Sequence, residues 1–370
     1  MTRYPILVLV LIFLGCGAEP NGGGVVENGP VPQWMADGSP AVRLVREQTY
    51  GREDGSIEEM LDTPRRAVVD AQGTLYLHDG ERLVAFDSAG EVLWQVAAQG
   101  EGPGELHRVR GLTLGQDGHL LVTNQSGTRL DRFTAEGSYT DSRPVSSLGL
   151  TRGTVQGVFA NGHYLMSATL PGAYGARLLL VADEDPLRLV DSLSVRQKGS
   201  REEIEAISVG SAMGVVADRI ALALIHEYGY IIMDQQLDTL SISKRPDVPK
   251  PAPYGFLHNG NPSMIMLGSS FDPLPLAEGR WLGGASWAMD VENIEELAPR
   301  LFSPDGPTIE YTRSLDLYDR DGTLLYAWTE EAMEAAGLRS VLASDGEALI
   351  WARTTDDVPT VARFRLEIDG

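Results

Sequence analysis

Residues 64–94, PRRAVVDAQGTLYLHDGERLVAFDSAGEVLW, and residues 108–141, RVRGLTLGQDGHLLVTNQSGTRLDRFTAEGSYTD, write one pattern twice. Each copy holds four short apolar runs separated by polar, mostly glycine-containing turns, which reads as four antiparallel strands joined by hairpins. Between the copies, QGEGPGELH at 99–107 supplies a Gly-Pro-Gly turn of the kind that carries a chain from one sheet into the next. Repeated units of this size share one core, so the 370 residues are expected to build a single repeat domain rather than two or three separate ones.

The turn between the first two strands counts the units. It recurs at Ala71-Gln72-Gly73, Gln116-Asp117-Gly118, Ala160-Asn161-Gly162, Ala277-Glu278-Gly279 and Ser344-Asp345-Gly346, with a weaker version at Ala217-Asp218-Arg219 ahead of IALALI. A second hairpin, between third and fourth strands, falls at Ser88-Ala89-Gly90, Ala135-Glu136-Gly137, residues 183–186, residues 235–238 and Arg320-Asp321-Gly322. The sixth unit stops at its third strand, 361–368, and AVRLVREQ at 41–48 can supply the missing outer strand. The expected fold is therefore all-β: a six-bladed β-propeller of four-stranded antiparallel blades, closed by an N-terminal strand that leaves no free edge at the seam. Longer additions at 243–262 and 290–310 fall on the face that carries the second-to-third loops and the inter-blade linkers. The start of the second addition is expected to form a short helix, and 329–337 reads as another, capped by Thr329 and stopped by Gly337.

The blocks LYLHDGERLVAF (75–86) and LLVTNQSGTRLDRF (120–133), with GEGPGEL (100–106), resemble six-bladed propellers of the TolB-like and NHL group, which includes bacterial lipoproteins. The resemblance covers the first two units and implies the fold; the family's functions are too varied to carry over. It also implies that Arg82 and Arg129, in the family's Arg-apolar-x-x-Phe position, make structural hydrogen bonds. Six-bladed relatives include metal-dependent lyases and lactonases that use the channel mouth.

At the N-terminus, Arg3 precedes an apolar run over 5–14 that is too short to span a bilayer. Phe13-Leu14-Gly15-Cys16 resembles the lipobox of bacterial lipoproteins, with Phe13 where leucine is more usual. Cys16 is the only cysteine, so there is no disulfide framework and the residue stands where a lipid would be attached. The expected division is a signal peptide at 1–15, then lipidated Cys16 and a flexible Gly-, Pro- and Asn-rich tether at 16–40, then the propeller at 41–370. As a random coil the tether would reach about 25–30 Å. The expected location is the cell envelope, membrane-anchored on the periplasmic or extracellular side. A net charge of −22 argues against nucleic acid or an anionic membrane surface as the main partner.

No Gly-x-Ser-x-Gly elbow, Walker loop or Cys-x-x-Cys is present, and no cofactor is implied. The DxDG at 319–322 lacks the downstream ligands of a calcium loop and coincides with a hairpin turn. More informative is arginine at the starts of first strands: Arg65, Arg66, Arg108, Arg110, Arg152 and Arg339. In a closed ring those starts converge on one mouth of the channel, and guanidinium groups grip carboxylates and phosphates in a bidentate fork. Pairing with local acids such as Glu105, Asp141 or Glu334 is the competing use. Tyr254 and Trp287 can stack on a sugar or another flat ligand, although tryptophans in such positions more often fill the core between blades. The expected role is binding or scaffolding, for a small anionic or sugar-like ligand or an envelope protein partner. The alternative is a metal-dependent enzyme of the lyase or lactonase type, using His78, His107, His226 and His258 on the same face but without a fixed ligand spacing.

Overall fold

The computed structural model describes residues 24–38, 40–52, 54–169, 176–195, 212–224, 227–249, 254–258, 261–265, 267–289, 294–300 and 308–369. Six of the seven sheets among the described residues are the expected blades. From the channel outward, blade 1 runs Pro64–Val69, Leu75–Asp79, Arg82–Phe86 and Val92–Val96, and blade 2 runs Gly111–Leu114, Leu120–Asn124, Arg129–Phe133 and Tyr139–Pro144. Blade 3 is Arg152–Val158, Tyr164–Thr169, Ala176–Ala182 and Arg188–Val195; blade 4 is Met213–Val216, Arg219–Ala223, Gly229–Met233 and Thr239–Lys244. In blade 5 the inner strand is broken into Gly268–Ser270 and Leu274–Pro275, followed by Trp281–Ala288, Tyr311–Tyr318 and Leu324–Thr329. Blade 6 is Leu338–Ser344, Leu349–Thr354, Val361–Asp369 and, outermost, Ala41–Tyr50. That last strand pairs antiparallel with Val361–Asp369 from Ala41 opposite Asp369 to Tyr50 opposite Val361, so both ends of the chain close the ring.

Middle strands are apolar on both faces because each face meets a neighbouring blade. Along Leu75–Asp79, Leu75 and Leu77 pack with Trp351 and Val361 of blade 6, whereas Tyr76 points the other way, to Leu120 and Val122 of blade 2. Leu121, between those two, joins Tyr164 and Met166 of blade 3. The remaining three interfaces are filled in the same way, by Leu180 with Ile220, by Tyr230 with Trp281, and by Leu317 with Ile350. Each fully buried leucine contributes roughly 1.5–3 kcal/mol, so the core is spread around the ring rather than concentrated in one place.

The turns follow local chemistry. In the marker turns Gly73, Gly118, Gly162, Gly279 and Gly346 have φ between 72° and 82°, the left-handed region in which glycine carries no side-chain penalty. The first carboxylate of a turn then accepts two backbone N–H groups: Asp70 Oδ1 from Gln72 and Thr74, both at 2.9 Å. Asp319, in the DxDG stretch, does the same toward Asp321 at 2.9 Å and Thr323 at 2.8 Å.

Between Gly24 and Asp37 the structure departs from the expected flexible tether. Gly24–Glu27 adds a parallel fifth strand to the outer edge of blade 4, with Gly24 opposite Ser241 and Glu27 opposite Lys244. The buried Asn28 side chain donates to Ser243 Oγ at 3.0 Å and to the Gly322 carbonyl at 3.1 Å, and accepts from the Leu324 N–H at 2.7 Å. A short helix, Gln33–Asp37, follows, and its Trp34 packs against the cluster between blades 5 and 6. Composition hides this because the segment builds no core of its own; it borrows an open strand edge and a set of polar groups from other blades.

Parts of both long additions are among the described residues, in the linker from blade 4 to blade 5 and in the second-to-third loop of blade 5. The first contains an antiparallel hairpin, Tyr254–His258 with Asn261–Ile265, and the second a short helix, Ile294–Leu297. They meet in a small apolar cluster of Ile265, Leu267, Ala288 and Ala298, with Ile294 and Ile309 against it. The Thr329 hydroxyl caps the helix Glu330–Ala335 by accepting from the Ala332 N–H at 3.3 Å.

Candidate anion site at the channel mouth

The inner strands of all six blades enclose a channel cavity of about 800 Å³. Two faces open onto it. The hairpin face carries the first-to-second and third-to-fourth turns; the arginine face carries the starts of the inner strands, the second-to-third loops and the linkers. Charge is divided between them. Glu278 and Glu347 line the hairpin end, and Arg65, Arg66, Asp272 and Arg353 line the other.

The arginine face is built around Arg66 and Arg353. Arg66, on the inner strand of blade 1, reaches across to Asp272 of blade 5 with Nη1 3.2 Å from Oδ2, and its Nε lies 3.4 Å from the Arg110 carbonyl. Asp272 enters the channel because the inner strand of blade 5 breaks at Phe271-Asp272-Pro273. The break is seated by glycine: a Cβ on Gly214 would lie 2.4 Å from the Pro273 carbonyl oxygen, so only glycine lets blade 4 approach this closely. Partial enclosure in the channel wall raises the Asp272 pKa, while Arg66 and the Met213 N–H act in the opposite direction. Arg66 and Asp272 are 48% and 40% exposed, and an ion pair open to water to this degree is worth about 0–1 kcal/mol. A ligand carboxylate can therefore replace Asp272 on Arg66 at little cost.

Arg353, half-buried at the end of the second strand of blade 6, is held by Ser340 Oγ at 2.7 Å. Its pKa is lowered, first by burial and then by repulsion from Arg339, Arg313 and Arg66. Of these neighbours, Arg313 is neutralised by Glu330, with Nε 2.9 and 2.8 Å from the two carboxylate oxygens, and it also donates to the Arg339 carbonyl. The guanidinium groups of Arg65, Arg108, Arg110, Arg152 and Arg339 are exposed and make no hydrogen bond or ion pair among the described residues.

The six arginines singled out from sequence thus divide. Arg65 and Arg66 line the channel, Arg339 acts on Arg353, and Arg110 lies beside Arg66 through its backbone. Arg108 and Arg152 stand on the same face but outside the channel lining. Arg353, Arg313 and Asp272 were not anticipated. A search of strand starts finds Arg65 and Arg66, whereas Arg353 sits at a strand end that reaches the same mouth.

The aromatic expectations also divide. Trp281, which begins the strand that carries Trp287, is fully buried, stacked on Tyr318 with ring centroids 4.4 Å apart and donating to the Asp319 carbonyl at 2.8 Å. Trp287 is half-buried against the cluster between blades 4 and 5. Tyr254 begins the added hairpin, but its side chain lies outside the described residues. Arg82 and Arg129 are structural: Arg82 donates to the carbonyls of Ile57, Glu58 and Met60, and Arg129 to those of Glu101, Gly102 and Glu105, tying linkers to blades.

Of the four histidines, His226 and the side chain of His258 lie outside the described residues, and His107 is half-buried in the linker to blade 2. His78 is 2% exposed, and neither ring nitrogen has a hydrogen-bond partner. Its pKa is lowered, first by burial and then by Arg65. Among the described residues no three His, Cys, Asp or Glu side chains are placed to hold a metal ion.

No family model matches the sequence, and no curated protein matches it. Solved structures do. An exported protein of provisional assignment from Bacteroides fragilis superposes with a TM-score of 0.60 at 10% identity, over 94% of this chain and 100% of that one. Virginiamycin B lyase from Staphylococcus aureus gives a TM-score of 0.48 at 11% identity, over 88% and 100% of the two chains. A Bacteroides vulgatus protein of a family of unknown function gives 0.48 at 10%, over 88% and 98%. The first likeness supports the six-bladed propeller and nothing finer; the other two fall below the similarity from which an argument can be made.

Proposed function

We propose that this propeller is an exported, membrane-tethered binding protein that takes a small anion at the arginine face of its channel. The observation that carries the reading is that Arg66 and Arg353 line one mouth of the channel in an acidic protein, Arg66 held by an open ion pair and a long bond to the Arg110 carbonyl and Arg353 pressed by burial and by like charge. An anion between them relieves the repulsion and replaces Asp272, and guanidinium forks match carboxylate and phosphate geometry. Half-buried Gln156 and Ser340 also line the cavity; the Gln156 amide donates to Ser167 and Ser340 accepts from Arg353, which leaves the Gln156 carbonyl and the Ser340 hydroxyl proton for ligand hydroxyls, so a hydroxylated carboxylate suits the mouth better than a bare ion. Export and anchoring rest on the residues ahead of the described chain: Arg3, the apolar run, and Leu14-Gly15-Cys16 with its single cysteine. Among the described residues no helix is long and apolar enough to cross a membrane.

The test is a thermal-shift series of the purified chain against citrate, glucuronate and phosphate. The expected result is a rise in melting temperature that grows with anion concentration by mass action and disappears in Arg66→Met and Arg353→Met. An unchanged melting temperature with all three anions, or equal shifts in both variants, counts against the reading.

A further inference from the structure

We infer that the N-terminal strap fixes the membrane to the hairpin face at blades 4 and 5, so that the arginine mouth opens away from the bilayer. The inference rests on the lipid-anchor reading above and adds an orientation to it.

The strap enters from that face and runs along the blade 4 outer strand toward its linker end. At its start, Gly24 lies opposite Ser241, two residues into the outer strand Thr239–Lys244, which has just left the third-to-fourth turn of blade 4. At its end, the Asn28 amide grips the Gly322 carbonyl and the Leu324 N–H, in the third-to-fourth turn of blade 5. Ser241 Oγ, donating to the Asp321 carbonyl at 2.7 Å, and Ser243 Oγ, donating to the Gly322 carbonyl at 2.6 Å, join the two blades directly beneath the strap. Asn28 is 6% exposed and all its side-chain polar atoms are engaged, so this is a specific latch and not a resting place. Cys16 is separated from Gly24 by the seven residues 17–23, which span at most about 25 Å even when fully extended. That leash is shorter than the full 16–40 segment would provide, and it starts from one side of the ring.

Charge does not hold this face on the bilayer. In its turns near the strap Asp218 and Asp321 are ion-paired with Arg320 and Arg219, and Asp234 and Asp238 add negative charge, so these turns offer anionic headgroups no unpaired cation. Attachment therefore belongs to the acyl chains and orientation to the strap. The arginine mouth, on the opposite face, is left open to anions in solution rather than to headgroups.

The experiment uses the full chain, expressed in a bacterium that processes lipoproteins and reconstituted in vesicles containing a rhodamine-headgroup lipid. A donor dye is placed on Gln236→Cys, in the exposed blade 4 turn of the hairpin face, or on Glu334→Cys, exposed on the helix of the arginine face. The expected result is energy transfer to the bilayer at least twofold greater from position 236 than from 334. The asymmetry is expected to collapse in Val26→Pro combined with Asn28→Ala. Equal transfer from the two positions, or the reverse order, overturns the orientation. Fractionation of the parent chain and Cys16→Ala tests the anchor separately: equal partition into the soluble fraction means the lipid reading has failed. The strap is then judged on the soluble chain, by spin-label distances from unmodified Cys16 to positions 236 and 334. A shorter distance to 236 supports the latch, and an equal or longer one refutes it.

Discussion

Arg353 is the residue at which folding and binding pull in opposite directions. Burial and three neighbouring guanidinium groups all act against its charge. Arg353→Met is therefore expected to leave the melting temperature unchanged or raise it, while weakening anion affinity tenfold or more, about 1.4 kcal/mol. Calorimetry and thermal melts on the same preparation check both halves. His78 makes a different prediction. Its folded pKa lies below the unfolded value of about 6.5, so the unfolded chain takes up a proton that the folded chain resists. Its contribution is fully present above that value and is lost as the pH falls below it, until the folded imidazole itself protonates. Urea midpoints at pH 7.5 and 5.5 are expected to show an acid-dependent drop that shrinks in His78→Leu. Neither behaviour is visible in sequence: Arg353 lies at the end of a strand whose neighbours come from blades 1 and 5, and the isolation of His78 depends on how blades 1 and 2 close over it.

Hairpins could be read from sequence because their physics is local. A turn that needs φ above zero selects glycine, and an aspartate at its start finds N–H groups two and four residues on, so the signal is complete within five residues. The closing strand was readable for a related reason, since a sixth unit one strand short leaves a strand-like run ahead of the first unit to supply it. The break at Phe271-Asp272-Pro273 and the strap at Gly24–Glu27 were not readable. One depends on Gly214 in another blade, and the other on an outer edge that the chain reaches only after more than two hundred further residues. Asn28→Ala is expected to cost about 1–3 kcal/mol, because it strands the buried Leu324 N–H and removes the amide from Gly322. Equilibrium urea unfolding measures it, and a loss below a few tenths of a kcal/mol would show that the strap adds little to the ring.

At the scale of the whole molecule, six interface cores make a closed ring in which every blade depends on two neighbours. Removal of residues 1–50 would take Val42 and Tyr50 out of two of those cores and uncover the edge of Val361–Asp369. That truncated chain is expected to aggregate or to elute well away from the monomer position in size-exclusion chromatography, whereas removal of residues 1–23 is expected to leave the fold intact. The ring also explains why the site is only half legible from one blade's sequence: each blade brings a few side chains, and charge accumulates only where all the inner strands meet. The most direct test of the anion site is calorimetric titration of the parent chain and of Arg66→Met/Arg353→Met with citrate, glucuronate and phosphate at low and high salt. The expected result is saturable binding of at least one anion by the parent chain, weakened by salt and reduced tenfold or more in the double variant. Absence of binding by all three, or equal affinity in parent and variant, would contradict it.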